Sequence, residues 1–183
     1  MSPGDADRVV ILDRDGTLVF DRHYLSDPAG LEFLPGAAEG LRSMYASGYR
    51  LVVITNQSGI GRGMFSLETM QQMNVRLMQM VDEIGAHLER IYVCPHLPED
   101  HCDCRKPRPR LLLDAAAELG FAPERAVVIG DKLSDIEFGA AVGAMTMLVS
   151  DRVTTAADAT SNVTADFVVR NLSEAAITLQ GRF

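Results

Sequence analysis

The sequence predicts an α/β protein with a doubly wound parallel sheet and helices on both of its faces. Short runs of apolar, β-branched residues alternate with longer stretches in which apolar residues recur at helical spacing. This alternation of strand and helix is typical of βαβ units and a parallel sheet. A chain of 183 residues with 47% hydrophobic content can bury one full core. We therefore predict a single domain over residues 1–183. The predicted elements fill the segments between Asp13 and Thr55 and between Thr55 and Lys106, so neither segment holds an inserted cap domain.

The elements follow from apolar runs and from the residues that begin or end a helix. The predicted strands cover residues 9–12, 51–55, 90–94, 126–130, 145–149 and 166–169. The predicted helices lie near residues 36–47, 66–84, 110–119, 134–142 and 173–180. Ser66 is a suitable N-cap, and Gly48 and Gly120 end the helices that precede them. The stretch 154–165, rich in Thr, Ala and Asp, is predicted to be a loose connection.

Charge and hydropathy exclude several classes of partner. The net charge of −8 argues against nucleic acid or an anionic membrane surface as the main partner. No apolar run approaches membrane-spanning length, and the N-terminus lacks the charged-then-apolar pattern of a signal peptide. We expect a soluble, cytoplasmic, monomeric protein that acts on a small molecule.

The most informative stretch is Asp13-Arg14-Asp15-Gly16-Thr17, which directly follows the first apolar strand. The strand end fixes the position of the Asp13 carboxylate, and the turn at Gly16 lets the Asp15 carboxylate approach the same point. Asp13 is then placed as a nucleophile or metal ligand, and Asp15 as a proton carrier. An ordinary Asp-rich turn at a strand end is the alternative interpretation of these two residues alone.

Other polar groups stand at the ends of later strands. Thr55 ends the second strand, Asp131 and Asp135 follow the fourth, and Lys106 opens a helical stretch. The carboxyl ends of parallel strands share one edge, and ligands bind in the crevice there. We therefore expect these groups to meet Asp13 and Asp15. Four acids at one point repel each other unless a divalent cation lies among them, and oxygen ligands favour Mg²⁺.

All three cysteines of the chain lie in the polar segment 94–104. Disulfides are unexpected in a chain without a secretion signal. Three thiolates and one imidazole make a closed tetrahedral zinc site, with Cys94, His96, Cys102 and Cys104 as the predicted ligands. The spacing leaves His101 as a rival to His96. Such a site would brace the loop that leads into Lys106.

Two loops beside the predicted site carry polar groups. The loop after the first motif holds Asp21, Arg22, His23 and Tyr24, which could bind substrate hydroxyls, although an ordinary surface loop is the alternative. The segment 59–63, Gly-Ile-Gly-Arg-Gly, lacks the third glycine of a dinucleotide fingerprint. We interpret it as a flexible loop that carries Arg62 near the phosphate.

The ordered set Asp13-x-Asp15-Gly16-Thr17, Thr55-Asn56, Lys106-Pro107 and Gly130-Asp131-x-x-x-Asp135 resembles the four motifs of the haloacid dehalogenase superfamily of phosphohydrolases. The resemblance implies that Asp13 attacks phosphorus and that Asp15 acts as acid and then base. It implies that Thr55 and Lys106 hold the phosphoryl oxygens. Mg²⁺ would sit on Asp13, Asp131 and the main-chain carbonyl of Asp15, with Asp135 supporting the site from behind these ligands.

Within the superfamily, segments 13–17, 55–63, 94–107 and 130–132 resemble the D-glycero-D-manno-heptose 1,7-bisphosphate phosphatases. This implies removal of the 7-phosphate in nucleotide-activated heptose biosynthesis, for lipopolysaccharide or capsule. It also implies that Asn56, Gln57 and Ser58 lie at the substrate. The cationic candidates for the distal phosphate are Arg62, Arg105 and Lys132, of which Arg105 is best placed.

Two alternatives stay open. The histidinol-phosphate phosphatases share the zinc loop, and the five residues between His96 and Cys102 match their short form. A phospho-accepting signalling module, in which a strand-end Asp is phosphorylated and held, belongs to a different class. The second acid of the pair counts against the module, because a general base at Asp15 would destroy the acyl phosphate.

Overall fold

A computed structural model describes residues 8–22, 24–150 and 164–180 of the chain. Its centre is a six-stranded sheet in the order β3-β2-β1-β4-β5-β6, and every neighbouring pair is parallel. The strands are β1 Val9–Leu12, β2 Arg50–Asn56, β3 Leu88–Cys94, β4 Val127–Gly130, β5 Met145–Val149 and β6 Phe167–Val169. This arrangement confirms the predicted fold class.

Six α-helices are described; five lie between strands, and the sixth follows β6. They are α1 Ala37–Ala46, α2 Ser58–Gly61, α3 Leu67–Glu83, α4 Arg110–Leu119, α5 Leu133–Ala140 and α6 Leu172–Leu179. Ser66 caps α3 as predicted, because its side chain accepts a hydrogen bond from the N–H of Thr69 at 3.0 Å. Gly120 ends α4 in the left-handed conformation, which glycine adopts without steric cost.

The core lies on both faces of the sheet. In β1, Val10 and Leu12 face a layer built from α1, α3 and α6, whereas Val9 and Ile11 face α4 and α5. Side chains of a strand alternate between the two faces, so burial of both faces makes the whole strand apolar. The four residues of β1 are at most 1% exposed. This is why the polar residues that follow the strand are held rigidly.

The strand order reverses direction around β1, which pairs with β2 on one side and with β4 on the other. At such a switch point the connections diverge to opposite faces, and a crevice opens at the carboxyl ends of the strands. Asp13 follows β1, Thr55 lies near the end of β2, and Asp131 follows β4. The topology therefore brings three distant segments of the chain to one edge.

The predicted elements are observed with shifts of one or two residues at their ends. The structure differs from the prediction at 59–63, where the short helix α2 covers part of the predicted flexible loop. Four residues are too few to show helical periodicity in the sequence. The predicted loose connection at 154–165 lies almost entirely outside the described residues. None of the helices in the described part of the chain is both long and apolar enough to cross a membrane.

Candidate active site

Asp13 and Lys106 form a buried ion pair at the carboxyl end of β1. The Lys106 Nζ lies 2.8 Å from Asp13 Oδ1, and the two side chains are 4% and 7% exposed. Burial alone would raise the pKa of Asp13, but the charge and hydrogen bond of Lys106 outweigh it, so the pKa is lowered. Asp13 is therefore ionised at neutral pH, as a nucleophile must be.

The Lys106 ammonium is fixed by three oxygen atoms. Besides Asp13, its Nζ donates to the carbonyl of Ile54 at 2.8 Å and lies 2.6 Å from Asp135 Oδ1. Burial would lower the pKa of Lys106, but the charges of Asp13 and Asp135 raise it above its usual value. A permanently charged lysine is thus held at the site that the sequence predicts for it.

Asp131 completes a cluster of acids. Oxygen atoms of Asp13, Asp131 and Asp135 all lie within 4.8 Å of one another. Burial and the charges of the other two carboxylates raise the pKa of Asp131 to about 6, against the opposing charge of Lys132. Gly16 allows this approach: it has a φ of +85°, and a Cβ there would lie 2.4 Å from Asp131 Oδ2.

This donor set fits a divalent cation. It offers oxygen atoms alone, and it concentrates more negative charge than Lys106 can neutralise, as the raised pKa of Asp131 indicates. Asp135 is also bonded behind the cluster, since its Oδ2 accepts from the N–H of Lys132 at 3.1 Å. Asp135 thus contacts both Lys106 and the Lys132 N–H, which agrees with the predicted role of supporting the site from behind the metal ligands.

The Asp15 side chain is bound by residues outside the acid cluster. Its Oδ2 accepts from Gln57 Nε2 at 2.6 Å, and the same nitrogen lies 2.9 Å from Thr55 Oγ1. The Arg14 guanidinium also pairs with the Asp15 carboxylate, at 3.0 Å. The predicted acid–base group and the predicted phosphate-binding hydroxyl are thus linked through one buried amide.

A cleft of about 190 Å³ opens beside Asp15. It is lined by Arg14, Asp15, Asp21, Arg22, Tyr24, Leu25, Asn56, Gln57, Ser58, Gly59 and Lys132. Most of the residues that the sequence predicts at the substrate are therefore gathered around this cleft. His23 is the exception within its loop, because it lies outside the described residues.

Asn56 and Gln57 line the cleft but turn their amides to protein partners. Asn56 Oδ1 accepts from the N–H of Lys106 at 3.0 Å, and its Nδ2 donates to the Lys106 carbonyl at 3.1 Å. Gln57 is only 6% exposed and binds Asp15 and Thr55. Both amides join segments of the predicted site together, a function that their position in the sequence did not indicate.

The three cations predicted for a distal phosphate lie in different places. Lys132 lines the cleft, and its Nζ lies 3.7 Å from Asp131 Oδ2. Arg62 is exposed at the end of α2. Arg105 donates from Nη1 to the carbonyl of His96 at 3.3 Å. Arg22 faces the cleft as well, and its guanidinium pairs with Glu32.

The Cys/His loop gathers Cys94, His96, Cys102 and Cys104 into one group. The sulfur–sulfur distances run from 3.2 to 3.7 Å, and His96 Nδ1 lies 3.1 Å from Cys104 Sγ and 3.8 Å from Cys94 Sγ. Tetrahedral zinc with bonds of about 2.3 Å places sulfurs about 3.8 Å apart, whereas a disulfide needs about 2 Å. The group therefore fits a closed zinc site.

His96 rather than His101 completes this group. The backbone of His101 takes a φ of 51°, and its carbonyl accepts a hydrogen bond from Arg108. Burial raises the pKa of the Cys94 thiol to about 12 in the metal-free group. A zinc ion would displace that proton, so metal binding and thiol ionisation are coupled here.

Arg14 is the residue at this site that the motifs did not single out. It is 3% exposed, borders the cleft and contacts Asp15. The sequence feature that could have indicated Arg14 is its position between two acids, directly after a buried strand. A residue at that position begins at the buried end of the strand, and Arg14 is buried there.

Comparison with known proteins agrees with this geometry. A HAD-hydrolase-like family model matches residues 103–175. A D-glycero-beta-D-manno-heptose-1,7-bisphosphate 7-phosphatase of Helicobacter pylori strain J99 is 44% identical over 133 residues, covering 72% of this chain and 76% of the relative. The enzyme of that name from Haemophilus ducreyi is 37% identical over 172 residues, covering 90% of this chain and 94% of the relative.

The fold has a solved counterpart as well. The crystal structure of D,D-heptose 1,7-bisphosphate phosphatase from B. bronchiseptica, complexed with magnesium and phosphate, superposes with a TM-score of 0.84 at 29% identity. The alignment covers 94% of this chain and 98% of that one. From its sequence relatives and its fold together, the chain belongs to the haloacid dehalogenase-like hydrolases, in the family of the D-glycero-D-manno-heptose 1,7-bisphosphate phosphatases.

Proposed function

We propose that this phosphatase removes the 7-phosphate of D-glycero-D-manno-heptose 1,7-bisphosphate in a Mg²⁺-dependent reaction through an aspartyl-phosphate. The observation that carries the proposal is the Asp13–Lys106 pair at the switch point of the sheet, with Asp131 on one side and the Asp15 cleft on the other. Relatives of this chain at 37–44% identity bear the corresponding name, with the β-anomer as substrate. We therefore expect the β-anomer to be preferred.

In the first step the ionised Asp13 carboxylate attacks phosphorus. A bond forms between its oxygen and phosphorus, and the bond from phosphorus to the 7-oxygen of the sugar breaks. Asp15 lies on the cleft side, where a leaving sugar has room, so it delivers the proton to the departing oxygen. In the second step Asp15 takes a proton from water, and the water oxygen forms a bond to phosphorus. The bond from phosphorus to the Asp13 oxygen breaks, inorganic phosphate leaves, and the Asp13 carboxylate is restored.

Charge neutralisation is the main task of the surrounding groups. Lys106 and the Thr55 hydroxyl, whose oxygen is 2.9 Å from Gln57 Nε2, would hold the phosphoryl oxygens. Asp13, Asp131 and the main-chain carbonyl of Asp15 would hold Mg²⁺, which supplies positive charge next to the transferred group. The acid cluster needs such a charge, since the pKa of Asp131 is raised to about 6 without it.

The zinc site would be structural. Its four protein ligands leave no position open for substrate, and Cys104 lies two residues before Lys106. The backbone of the loop is also joined to the segment after β2, because Gln57 N–H donates to the Cys94 carbonyl at 2.7 Å. Zinc would thus stabilise the segment that carries the catalytic lysine.

The substrate would lie in the cleft beside Asp15. Asp21, Tyr24 and Ser58 offer groups for sugar hydroxyls, and Lys132 offers a cation. Arg62 and Arg105 stay candidates for the distal phosphate from outside the cleft. We further propose that the site is uncapped, and that the protein acts as a cytoplasmic monomer with a single domain over residues 1–183.

The decisive experiment compares phosphate release from both anomers of the heptose bisphosphate and from histidinol phosphate. The highest kcat/KM is expected for the β-anomer, with the 1-phosphate left on the product. Histidinol phosphate carries an ammonium group in place of a second phosphate and is expected to be a poor substrate. An equal or higher kcat/KM on histidinol phosphate would overturn the assignment.

A further inference from the structure

Arg14 is a buried arginine in the wall of the active-site cleft. It is 3% exposed, and its backbone is anchored because its carbonyl accepts from the N–H groups of Leu18 and Val19 at 2.9 and 3.1 Å. Burying a guanidinium is costly unless charged and polar partners surround it. The partners of Arg14 therefore indicate what the residue is for.

Its main partner is the Asp15 carboxylate. Arg14 Nε donates to Asp15 Oδ2 at 3.1 Å, and Nη2 lies 3.2 Å from Oδ1 and 3.0 Å from Oδ2. Both carboxylate oxygens are thus engaged by a planar fork, which fixes their orientation as well as their position. Gln57 Nε2 holds Oδ2 at 2.6 Å from another direction.

The Arg14 guanidinium also contacts a residue of helix α3. Arg14 Nη1 donates to the Sδ of Met70, a buried residue of α3, at 3.1 Å. Met70 packs in an apolar cluster with Phe65 and Met73. The guanidinium therefore forms a rigid link from this cluster to the Asp15 carboxylate.

Other cations at the cleft are held differently. The side chain of Arg22 is 48% exposed and pairs with the exposed Glu32, and the side chain of Lys132 is 52% exposed. Exposed side chains such as these keep their conformational freedom. Among the described residues that line the cleft, Arg14 is the buried cation, and it acts on the acid–base group.

We propose that Arg14 is a positioning residue for proton transfer: it holds the Asp15 carboxylate at the leaving-group side of the reacting phosphorus. The inference rests on the proposed reaction, in which Asp15 delivers a proton to the departing oxygen. A poor leaving group such as a sugar alkoxide needs that proton, whereas a 4-nitrophenolate departs without it. Arg14 is therefore required chiefly for alkyl phosphates.

The test uses Arg14→Lys, which keeps the charge but loses the planar guanidinium, and Arg14→Met, which keeps an unbranched apolar side chain but loses the charge. The control is Arg76→Gln, an exposed arginine of α3 that pairs with Glu83. Each variant is checked for melting temperature and metal content. The kcat/KM is measured for the sugar phosphate, and the burst of 4-nitrophenol is measured for the aryl ester.

Both Arg14 variants are expected to lose about 10²-fold or more on the sugar phosphate, the range for a misplaced acid–base group. The rate of the aryl burst is expected to fall less than about tenfold, because that step needs little proton transfer. In an Asp15→Asn background, adding Arg14→Met is expected to change the residual kcat/KM on the sugar phosphate little, since residues that act as a unit are not additive.

Equal losses on both esters, additive losses in the double variant, or no loss in either Arg14 variant would overturn the proposal. The first two outcomes would mark Arg14 as a residue of general structural importance. If the wild-type protein fails to hydrolyse heptose bisphosphate, the substrate assignment fails by itself. The comparison of leaving groups then proceeds with any alkyl phosphate that the wild type hydrolyses, so the two failures are distinguishable.

Discussion

Asn56 holds the backbone of Lys106 through two hydrogen bonds: its Oδ1 accepts from the Lys106 N–H at 3.0 Å, and its Nδ2 donates to the Lys106 carbonyl at 3.1 Å. The two residues are fifty positions apart in the chain. This pair of bonds ties the end of β2 to the segment after the Cys/His loop. The Nζ of the same lysine contacts Asp13 at 2.8 Å. The amide therefore sets the position of the Lys106 cation, which we propose to be catalytic.

Asn56→Ala is predicted to lower kcat by about 10²-fold, because a displacement of about 1 Å at a positioning group has that order of effect. Gln72→Ala, an exposed amide on α3, is the matched control and is expected to keep wild-type kcat. Steady-state kinetics with an aryl phosphate measures both. A wild-type kcat in Asn56→Ala would show that Lys106 is positioned without this amide.

Asp13→Asn is predicted to abolish turnover, because an amide cannot attack phosphorus to form the intermediate. Asp15→Asn is predicted to cost on the order of 10²–10⁴ in rate, as expected for a lost acid–base group. Phosphate release and circular dichroism together separate lost chemistry from lost fold. Retention of more than about a tenth of the activity in Asp13→Asn would rule out the covalent mechanism.

The response to Mg²⁺ is predicted to depend on pH through Asp131. Its pKa is raised to about 6 in the metal-free protein, above the ordinary value of 3.8. Ionising Asp131 thus destabilises the metal-free fold as pH rises through this range, and a bound cation would relieve that cost. The gain in melting temperature on adding Mg²⁺ should be small at about pH 5 and complete above about pH 7.

Asp131→Asn is the control for this dependence and should show little Mg²⁺ stabilisation at either pH. The comparison is made by differential scanning fluorimetry at constant ionic strength. A gain of the same size at both pH values in the wild type would mean that Asp131 does not control Mg²⁺ binding. Chelation of Mg²⁺ by EDTA should also abolish activity.

Purified protein is predicted to contain about one zinc ion per chain. Cys102→Ser should lower zinc content, melting temperature and activity together, because the loop leads directly into Arg105 and Lys106. Asp103→Asn changes an exposed residue of the same loop that is not in the Cys/His group, and it should keep all three. Absence of zinc from protein purified without chelator would remove the prediction.

Arg105→Ala is predicted to weaken turnover of heptose bisphosphate far more than turnover of a small aryl phosphate, because only the former carries a second phosphate. Arg105→Lys should recover part of the loss, since it keeps the charge without the bidentate geometry. Zinc content must be measured in parallel, as Arg105 also donates to the His96 carbonyl at 3.3 Å. Equal losses on both substrates would assign Arg105 to the loop rather than to the substrate.

The sequence by itself determined the sheet and the meeting of Asp13, Thr55 and Asp131 at one of its edges. Apolar runs buried on both faces make parallel strands, and their carboxyl ends share one edge whatever the details of packing. A polar residue placed directly after such a strand has little freedom, so its position in the chain predicts its position in space. The three cysteines lie within eleven residues of one another, so a short segment of chain holds them close together in space. Their spacing in the sequence therefore predicted the Cys/His group.

The tertiary structure alone decided which partners the polar side chains of the loops contact. Asn56 and Gln57 bind Lys106 and Asp15, Arg14 binds its neighbour Asp15, and His96 rather than His101 joins the cysteines. Each outcome depends on partners brought in by other elements and on backbone angles such as the φ of 51° at His101. Residue type and spacing favoured His96 over His101, but they did not fix these contacts, because a buried polar group takes whichever partner the packed fold places within hydrogen-bond distance.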